Sequence, residues 1–305
     1  MPDLRIPLPG LPVGPITVST GEVARSVGRV ARATAAPLLP RRSLEAAVGG
    51  KTVLVTGSSY GIGRATAAQV AAAGATTIVV ARDEARLAGL VAEIGEAGGV
   101  AHAYAADLAD MHAIAELADR LAADGHEVDV LVNNAARSIR RALADTYHRL
   151  HDFERTMRLN YFGAVHLTMA LLPGMRERRS GHIVNVSTMG TQTSTPRFAA
   201  YLASKSALEA FTRVAAAECL GDDVRFSIVH MPLVRTPMIE PTAAYEGLPA
   251  LTPEQAGGLI GDALRTRAEY VGPRVGTASE VLSALFPAGA NEVLHALYRG
   301  VPEGD

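Results

Sequence analysis

The chain has 305 residues, 48% of them hydrophobic and 20% charged, with a formal charge of −2 and an isoelectric point near 6.5. That balance supports a sizeable buried core and excludes the general basic field that nucleic-acid binding needs. The single cysteine, Cys219, excludes an intramolecular disulfide, and no run reaches the roughly 20 apolar residues of a membrane span.

Residues 1–50 read as an extension. Pro2, Pro7, Pro9, Pro12 and Pro15 break any signal-peptide core, so the expected setting is the reducing cytoplasm. Gly21–Ala36 reads as one helix, with Val23, Val27 and Val30 on one face and Arg25, Arg29 and Arg32 elsewhere. Such a basic amphipathic helix packs on the domain or a partner subunit, or lies on an anionic membrane surface without spanning it.

From Lys51 strands and helices alternate. Strands are expected at Thr52–Thr56, Thr76–Ala81, Val100–Ala105, Val128–Val132, His182–Val186 and Val224–Val229. Helices are expected at Gly63–Ala73, Asp83–Glu96, Met111–Ala123, Phe153–Leu172 and Ala200–Cys219. Short apolar strands separated by longer helices indicate βαβ units, and so a single doubly wound parallel α/β sheet of about seven strands over residues 51–305.

The first strand runs into a glycine-rich turn and a helix start. Gly57 permits the tight turn, Gly61 lets backbone approach a pyrophosphate, and Gly63 allows close helix–strand packing. Ser59, Tyr60 and Ile62 complete this candidate phosphate loop. The second strand ends at Ala81-Arg82-Asp83. Arginine there suits the 2′-phosphate of NADP(H), while Asp83, one place later, keeps NAD(H) as the alternative.

Only two of the 29 basic residues are lysines, Lys51 and Lys205. Tyr201 and Lys205 stand one helical turn apart, and an ammonium beside a phenol favours the phenolate, so Tyr201 is expected to titrate toward neutrality as a general acid. Ser187, at the end of the strand before that helix, is the candidate hydroxyl for a substrate carbonyl, with Thr188 as its decoy neighbour. Asn160, inside the long helix, is a candidate holder of a water feeding Lys205. His148 and His151 have no carboxylate or cysteine set to complete a metal site.

Thr56-Gly57-x-x-x-Gly61-x-Gly63, Asp107, Asn133-Asn134-Ala135, Asn160, Ser187 and Tyr201-x-x-x-Lys205, in that order, resemble the short-chain dehydrogenase/reductase family over about residues 50–285. The resemblance implies a Rossmann fold, hydride transfer at nicotinamide, and a proton-relay tetrad of Asn160, Ser187, Tyr201 and Lys205. It also implies adenine contacts at Asp107 and Leu108, a cofactor path lined by Asn133 and Ala135, and further cofactor contacts at Pro232, Val234 and Thr236. Homodimers or homotetramers through the helices carrying Asn160 and Tyr201 are expected on the same ground. Two positions depart from the family pattern: Ala136 stands where glycine is usual after Asn-Asn-Ala, and Leu233 follows Pro232 in place of glycine.

His151–Gly163, His230–Ile239 and Ser138-Ile139-Arg140-Arg141 look like the bacterial fatty acyl-CoA reductase group of that family. This implies NADPH-dependent reduction of an acyl thioester to an aldehyde. Leu233, Met238, Ile239 and Tyr245, with Val234 and Leu248, are the candidate apolar wall. Arg137, Arg140 and Arg141 are candidates to attract a phosphorylated carrier. Reduction of a ketone or 3-oxoacyl group by the same tetrad is the competing reading, and a non-catalytic dinucleotide-binding scaffold the remote one.

Overall fold

The computed structural model describes residues 4–6, 16–18, 42–239, 245 and 247–300. The chain divides into two units, Met1–Arg41 and Arg42–Asp305. In the first, β1 (Leu4–Ile6) pairs antiparallel with β2 (Ile16–Val18). The helix expected over Gly21–Ala36 lies outside the described residues. The unit boundary falls nine residues before the one expected at 50, because α1 (Leu44–Val48), capped by the Ser43 hydroxyl, buries Ala47 and Val48 in the core of the second unit.

The second unit is built on seven parallel strands. These are β3 (Thr52–Thr56), β4 (Thr76–Ala81), β5 (Val100–Ala105), β6 (Val130–Asn133), β7 (Gly181–Thr188), β8 (Val224–Met231) and β9 (Tyr270–Val271). Their order in the sheet is β5-β4-β3-β6-β7-β8-β9. The chain winds outward from β3 in one direction and then, from β6, in the other. The crevice at that switch point, outside the carboxyl ends of the strands, is where open α/β sheets bind ligands.

Alternation along β3 shows why both faces are covered. Val53 and Val55 point into a cluster with Val70 of α2 (Gly61–Ala72), Leu87 of α3 (Glu84–Glu96) and Ile260 of α9 (Pro253–Thr266). Leu54 points the other way, into a cluster with Leu117 of α4 (Met111–Ala123) and Leu167 of α6 (Ala164–Glu177). All three β3 side chains are fully buried, each contributing roughly 1.5–3 kcal/mol of apolar burial.

The helix expected over Phe153–Leu172 is interrupted. It runs as α5 (Leu150–Met157), a π-helical turn over Arg158–Gly163, and then α6. After β7 come the short α7 (Met189–Thr193) and α8 (Ala199–Glu218), and after β9 the helices α10 (Arg274–Leu285) and α11 (Pro287–Gly300). No helix among the described residues is long and apolar enough to cross a membrane.

Candidate active site

At the carboxyl ends of β3 to β8 lies a cleft of about 1070 Å³, slightly more than the roughly 300–1,000 Å³ of a typical single-ligand pocket. Its floor is the β3–α2 loop. Gly57 sits at φ +69°, a backbone conformation natural to glycine, and brings the loop against Ala135. Gly63 does not line the cleft. Its role is packing, because a Cβ there would strike the Gly57 carbonyl oxygen. The loop residues Gly57, Ser59, Tyr60, Gly61 and Ile62 all face the cleft. No side chain caps α2 at its first residue, so the amides of its opening turn point at the cleft.

Asn134 holds this floor in place. Its amide donates to the Thr56 carbonyl at 2.9 Å, while the backbone amides of Asn134 and Ala135 each donate to the Thr56 hydroxyl at 3.0 Å. Asn133, expected to line the cofactor path, does not line the cleft. As the last residue of β6 it points into the sheet interior and donates to Thr168 at 3.1 Å and Asn185 at 2.8 Å. The sequence motif includes Asn134 without giving it a role, although two consecutive strand-end residues must face opposite ways and only one can reach the loop.

Arg82, Asp107 and Leu108 line one end of the cleft. The Asp83 carboxylate is committed elsewhere, capping α3 through the Arg86 amide at 3.0 Å and pairing with the Arg86 side chain at 3.1 Å. Arg82 has no acidic partner among the described residues. A glycine turn that excludes side chains, an uncapped helix start and an unneutralised arginine together suit a phosphorylated dinucleotide.

Tyr201 and Lys205 reach the cleft from the first turns of α8. Lys205 is fully buried and Tyr201 half-buried, and this reverses the expected electrostatics. Burial pushes the Tyr201 phenol up to about 12 rather than down, with Tyr245 adding to the rise and only the Thr188 hydroxyl acting against it. Burial likewise brings the Lys205 ammonium down to about 8, opposed by the Glu209 carboxylate. The ammonium donates to the Val186 carbonyl at 2.7 Å, and the resting phenol keeps its proton.

Thr188, not Ser187, faces the phenol. Thr188 lies within hydrogen-bonding reach of Tyr201. Ser187, one residue earlier on β7, also lines the cleft, but its hydroxyl is committed to Glu209, to which it donates. Glu209 also accepts from Thr191 at 2.9 Å and meets the His230 ring at 3.3 Å. Burial works to raise the Glu209 carboxyl, but the hydrogen bonds from His230 and Ser187 outweigh it and hold it below the ordinary range.

Asn160 is buried under the π-helical turn and does not line the cleft. Its oxygen accepts the Arg137 amide at 2.8 Å, and its nitrogen donates to the Arg137 carbonyl and the Ser204 hydroxyl, both at 2.9 Å. With both donors and one acceptor site used by protein, the side chain is a clamp on the loop after β6 rather than the expected water holder.

The far wall is apolar. Leu233, Met238, Ile239, Tyr245 and Leu248 line it, with Pro232, Val234 and Thr236 nearer the cofactor loop. Paired backbone bonds anchor its base, from the Arg235 amide to the Leu251 carbonyl and from the Leu251 amide to the Leu233 carbonyl, each 2.9 Å. Of the candidate carrier arginines, Arg137 lines the cleft, whereas Arg141 is tied to buried Asp152 at 3.1 Å. His151 also meets Asp152, at 3.4 Å, and no cluster that could hold a metal ion occurs among the described residues.

A family model described as short chain dehydrogenase matches residues 51–247. The chain is 50% identical over 255 residues to an uncharacterized oxidoreductase of Mycobacterium tuberculosis, covering 83% of this chain and 75% of the relative. It is 46% identical over 240 residues to a fatty acyl-CoA reductase of Acinetobacter baylyi, covering 79% and 81%, and 42% identical over 246 residues to a fatty acyl-CoA reductase of Mycobacterium tuberculosis, covering 80% and 84%. Among solved structures, a 3-oxoacyl (acyl-carrier-protein) reductase of Agrobacterium tumefaciens with NADP bound superposes with a TM-score of 0.68 at 28% identity, covering 75% of this chain and 95% of that one.

Proposed function

The chain belongs to the short-chain dehydrogenase/reductase family, and on that premise we propose that it uses NADPH to reduce a fatty acyl-CoA thioester to the aldehyde. The observation that carries this reading is the continuity of one cleft, from the glycine floor past the Tyr201 phenol to the apolar wall of Leu233, Met238, Ile239 and Tyr245. The likeness to fatty acyl-CoA reductases at 42–46% identity supports the same substrate class. Arg82 beside a committed Asp83 supports NADP(H) over NAD(H).

The glycine floor from Gly57 to Ile62, with Arg82, would hold NADPH, whose nicotinamide would supply the hydride that the thioester carbonyl carbon takes up. Thr188 and Tyr201 hold the carbonyl oxygen by their hydroxyls, and Tyr201 gives its proton to that oxygen as negative charge develops there. A phenol pushed up to about 12 is fully protonated at neutral pH and so starts in the acid form that reduction requires. The resulting hemithioacetal collapses as its hydroxyl proton returns to Tyr201 and the carbon–sulfur bond breaks, releasing aldehyde and coenzyme A thiolate. Lys205, charged below about pH 8, stabilises the tyrosinate that exists between the two proton transfers.

Residues 42–305 form the catalytic domain in this reading, working in the cytoplasm. The helices carrying Asn160 and Tyr201 form the homo-oligomer contact, since Phe162, Met169 and Val214 are more than half exposed on them.

The test is turnover of NADPH with long-chain acyl-CoA, followed by NADPH absorbance and by thiol release together. Equal rates of the two support the reading. Oxidation of NADPH by ketones or 3-oxoacyl thioesters without thiol release establishes the ketone-reductase alternative, which the likeness to the 3-oxoacyl reductase favours.

A further inference from the structure

The cleft carries more positive charge than a dinucleotide accounts for. In the cofactor reading Arg82 answers the 2′-phosphate and the α2 amides the pyrophosphate. Arg86 is neutralised by Asp83, and Lys205 is buried at the reaction centre. Three arginines remain on the lining, namely Arg137, Arg155 and Arg158.

They share one origin. Arg137 is the residue whose backbone grips the Asn160 side chain, Arg158 opens the π-helical turn that buries Asn160, and Arg155 lies one turn earlier on α5. Arg137 is half-buried, and Arg155 and Arg158 are exposed. None of the three has an acidic partner among the described residues. Glu154, one turn before Arg158, makes no ion pair with it.

The neighbouring arginines that do not line the cleft are treated differently. Arg141 and Arg149 converge on the buried Asp152 carboxylate, at 3.1 and 3.0 Å. Where a guanidinium serves only the fold, this loop supplies it with a carboxylate. The three that face the cleft have been left to something that enters it.

We propose that Arg137, Arg155 and Arg158 form an anion subsite that receives the nucleotide phosphates of coenzyme A while the acyl chain lies against Leu233, Met238 and Ile239. The inference rests on the thioester reading above and names the part of the substrate that reading leaves unplaced. Guanidinium groups suit phosphate oxygens through paired N–H donors. Selection by phosphate also separates a coenzyme A thioester from a free ketone of equal chain length.

The test uses the full chain and its Arg155→Ala/Arg158→Ala double variant, both positions being exposed. Coenzyme A itself is titrated calorimetrically into the NADP⁺-loaded protein, and the KM values of one acyl group carried on coenzyme A and on N-acetylcysteamine are compared. The expected results are a loss of coenzyme A affinity of at least tenfold and a rise of at least tenfold in the KM ratio of the two thioesters. Equal KM changes for both thioesters overturn the subsite. An equal loss of NADPH affinity, read by fluorescence of the bound cofactor, overturns it by giving the arginines to the cofactor. Arginine dependence seen with an acyl-carrier-protein thioester but not with coenzyme A overturns it in favour of a protein partner. If the wild-type chain reduces no thioester yet binds coenzyme A through these arginines, the subsite stands and the reductase reading falls.

Discussion

Ser187 and Thr188 are adjacent hydroxyls at the end of β7 with different partners, Thr188 facing Tyr201 and Ser187 bound to Glu209. Only one of them can share a substrate oxygen with the phenol. Thr188→Ala is expected to lower kcat by about 10²-fold or more, in the range for loss of a positioned group in proton transfer, and Thr188→Ser to restore most of it. Ser187→Ala leaves the buried Glu209 short of one donor and is expected to cost about 1–3 kcal/mol of stability with less than tenfold loss of kcat. Steady-state rates and urea midpoints on the three variants separate the roles, and a larger kcat loss in Ser187→Ala than in Thr188→Ala would reverse them.

This pair also shows where reading the sequence stopped short. A strand alternates its side chains, so placing the last residue one position early exchanges the two faces. The strand continued to Thr188 where periodicity ended it at Val186. The same limit hid the π-helical turn. Nothing in the apolar spacing of 153–172 marks the extra residue, because its cause is distant: Asn160 turns inward to grip Arg137. By contrast, β4, β5 and α4 begin and end where their patterns place them, since turns and Asp110 punctuate them locally. The motif residues around Tyr201 and the glycine loop were legible by type and spacing. Their protonation was not, because burial sets it and spacing does not report burial.

Lys205 supplies a pH prediction. Its folded value of about 8 lies below the ordinary lysine value, so raising the pH through about 8 removes the ammonium from the cofactor-free protein. kcat/KM for reduction is therefore expected to fall above about pH 8. Glu209 is the charge that opposes this loss, so Glu209→Gln is expected to move the falling limb to lower pH. A pH–rate profile of the variant that overlays the wild type would remove Glu209 from that role.

His182 makes the fold acid-sensitive. It is buried on β7 with its Nε2 2.9 Å from the Ser227 hydroxyl. Burial first, then Arg267, Lys51 and Arg225, drive its value down to about 3. Between about pH 6.5 and 3 the unfolded chain binds a proton that the folded chain refuses, so stability falls as pH drops through that window. From this residue the loss is expected to be about 2 kcal/mol between pH 7 and pH 5, at roughly 1.4 kcal/mol per pH unit below 6.5. His182→Gln keeps a partner for Ser227 and should flatten the dependence by about one proton. Urea unfolding at the two pH values measures it.

Arg82 sets the cofactor prediction. Arg82→Ser removes the cation that faces the cleft without disturbing the Asp83–Arg86 cap. The ratio of kcat/KM for NADPH over NADH is expected to fall by at least tenfold, mainly through the NADPH KM. An unchanged ratio would place 2′-phosphate recognition elsewhere in the cleft.

Two glycines on adjacent helices provide the last comparison. A Cβ at Gly63 meets the Gly57 carbonyl oxygen and the Asn134 amide nitrogen, and neither can withdraw without opening the loop that Thr56 and Asn134 lock together. Gly63→Ala is therefore expected to abolish NADPH binding and to destabilise the fold by about 3 kcal/mol or more, as overpacking of a tight contact does. Gly89, in the middle of α3, has nothing within 4 Å of an added Cβ and is exposed. Gly89→Ala is expected to stabilise the fold by about 0.5–1 kcal/mol through helix propensity and loss of unfolded-state freedom, with cofactor affinity unchanged. Thermal unfolding and NADPH fluorescence titration on the two variants read both quantities, and tight NADPH binding by Gly63→Ala would mean that the loop is not the rigid floor described for it.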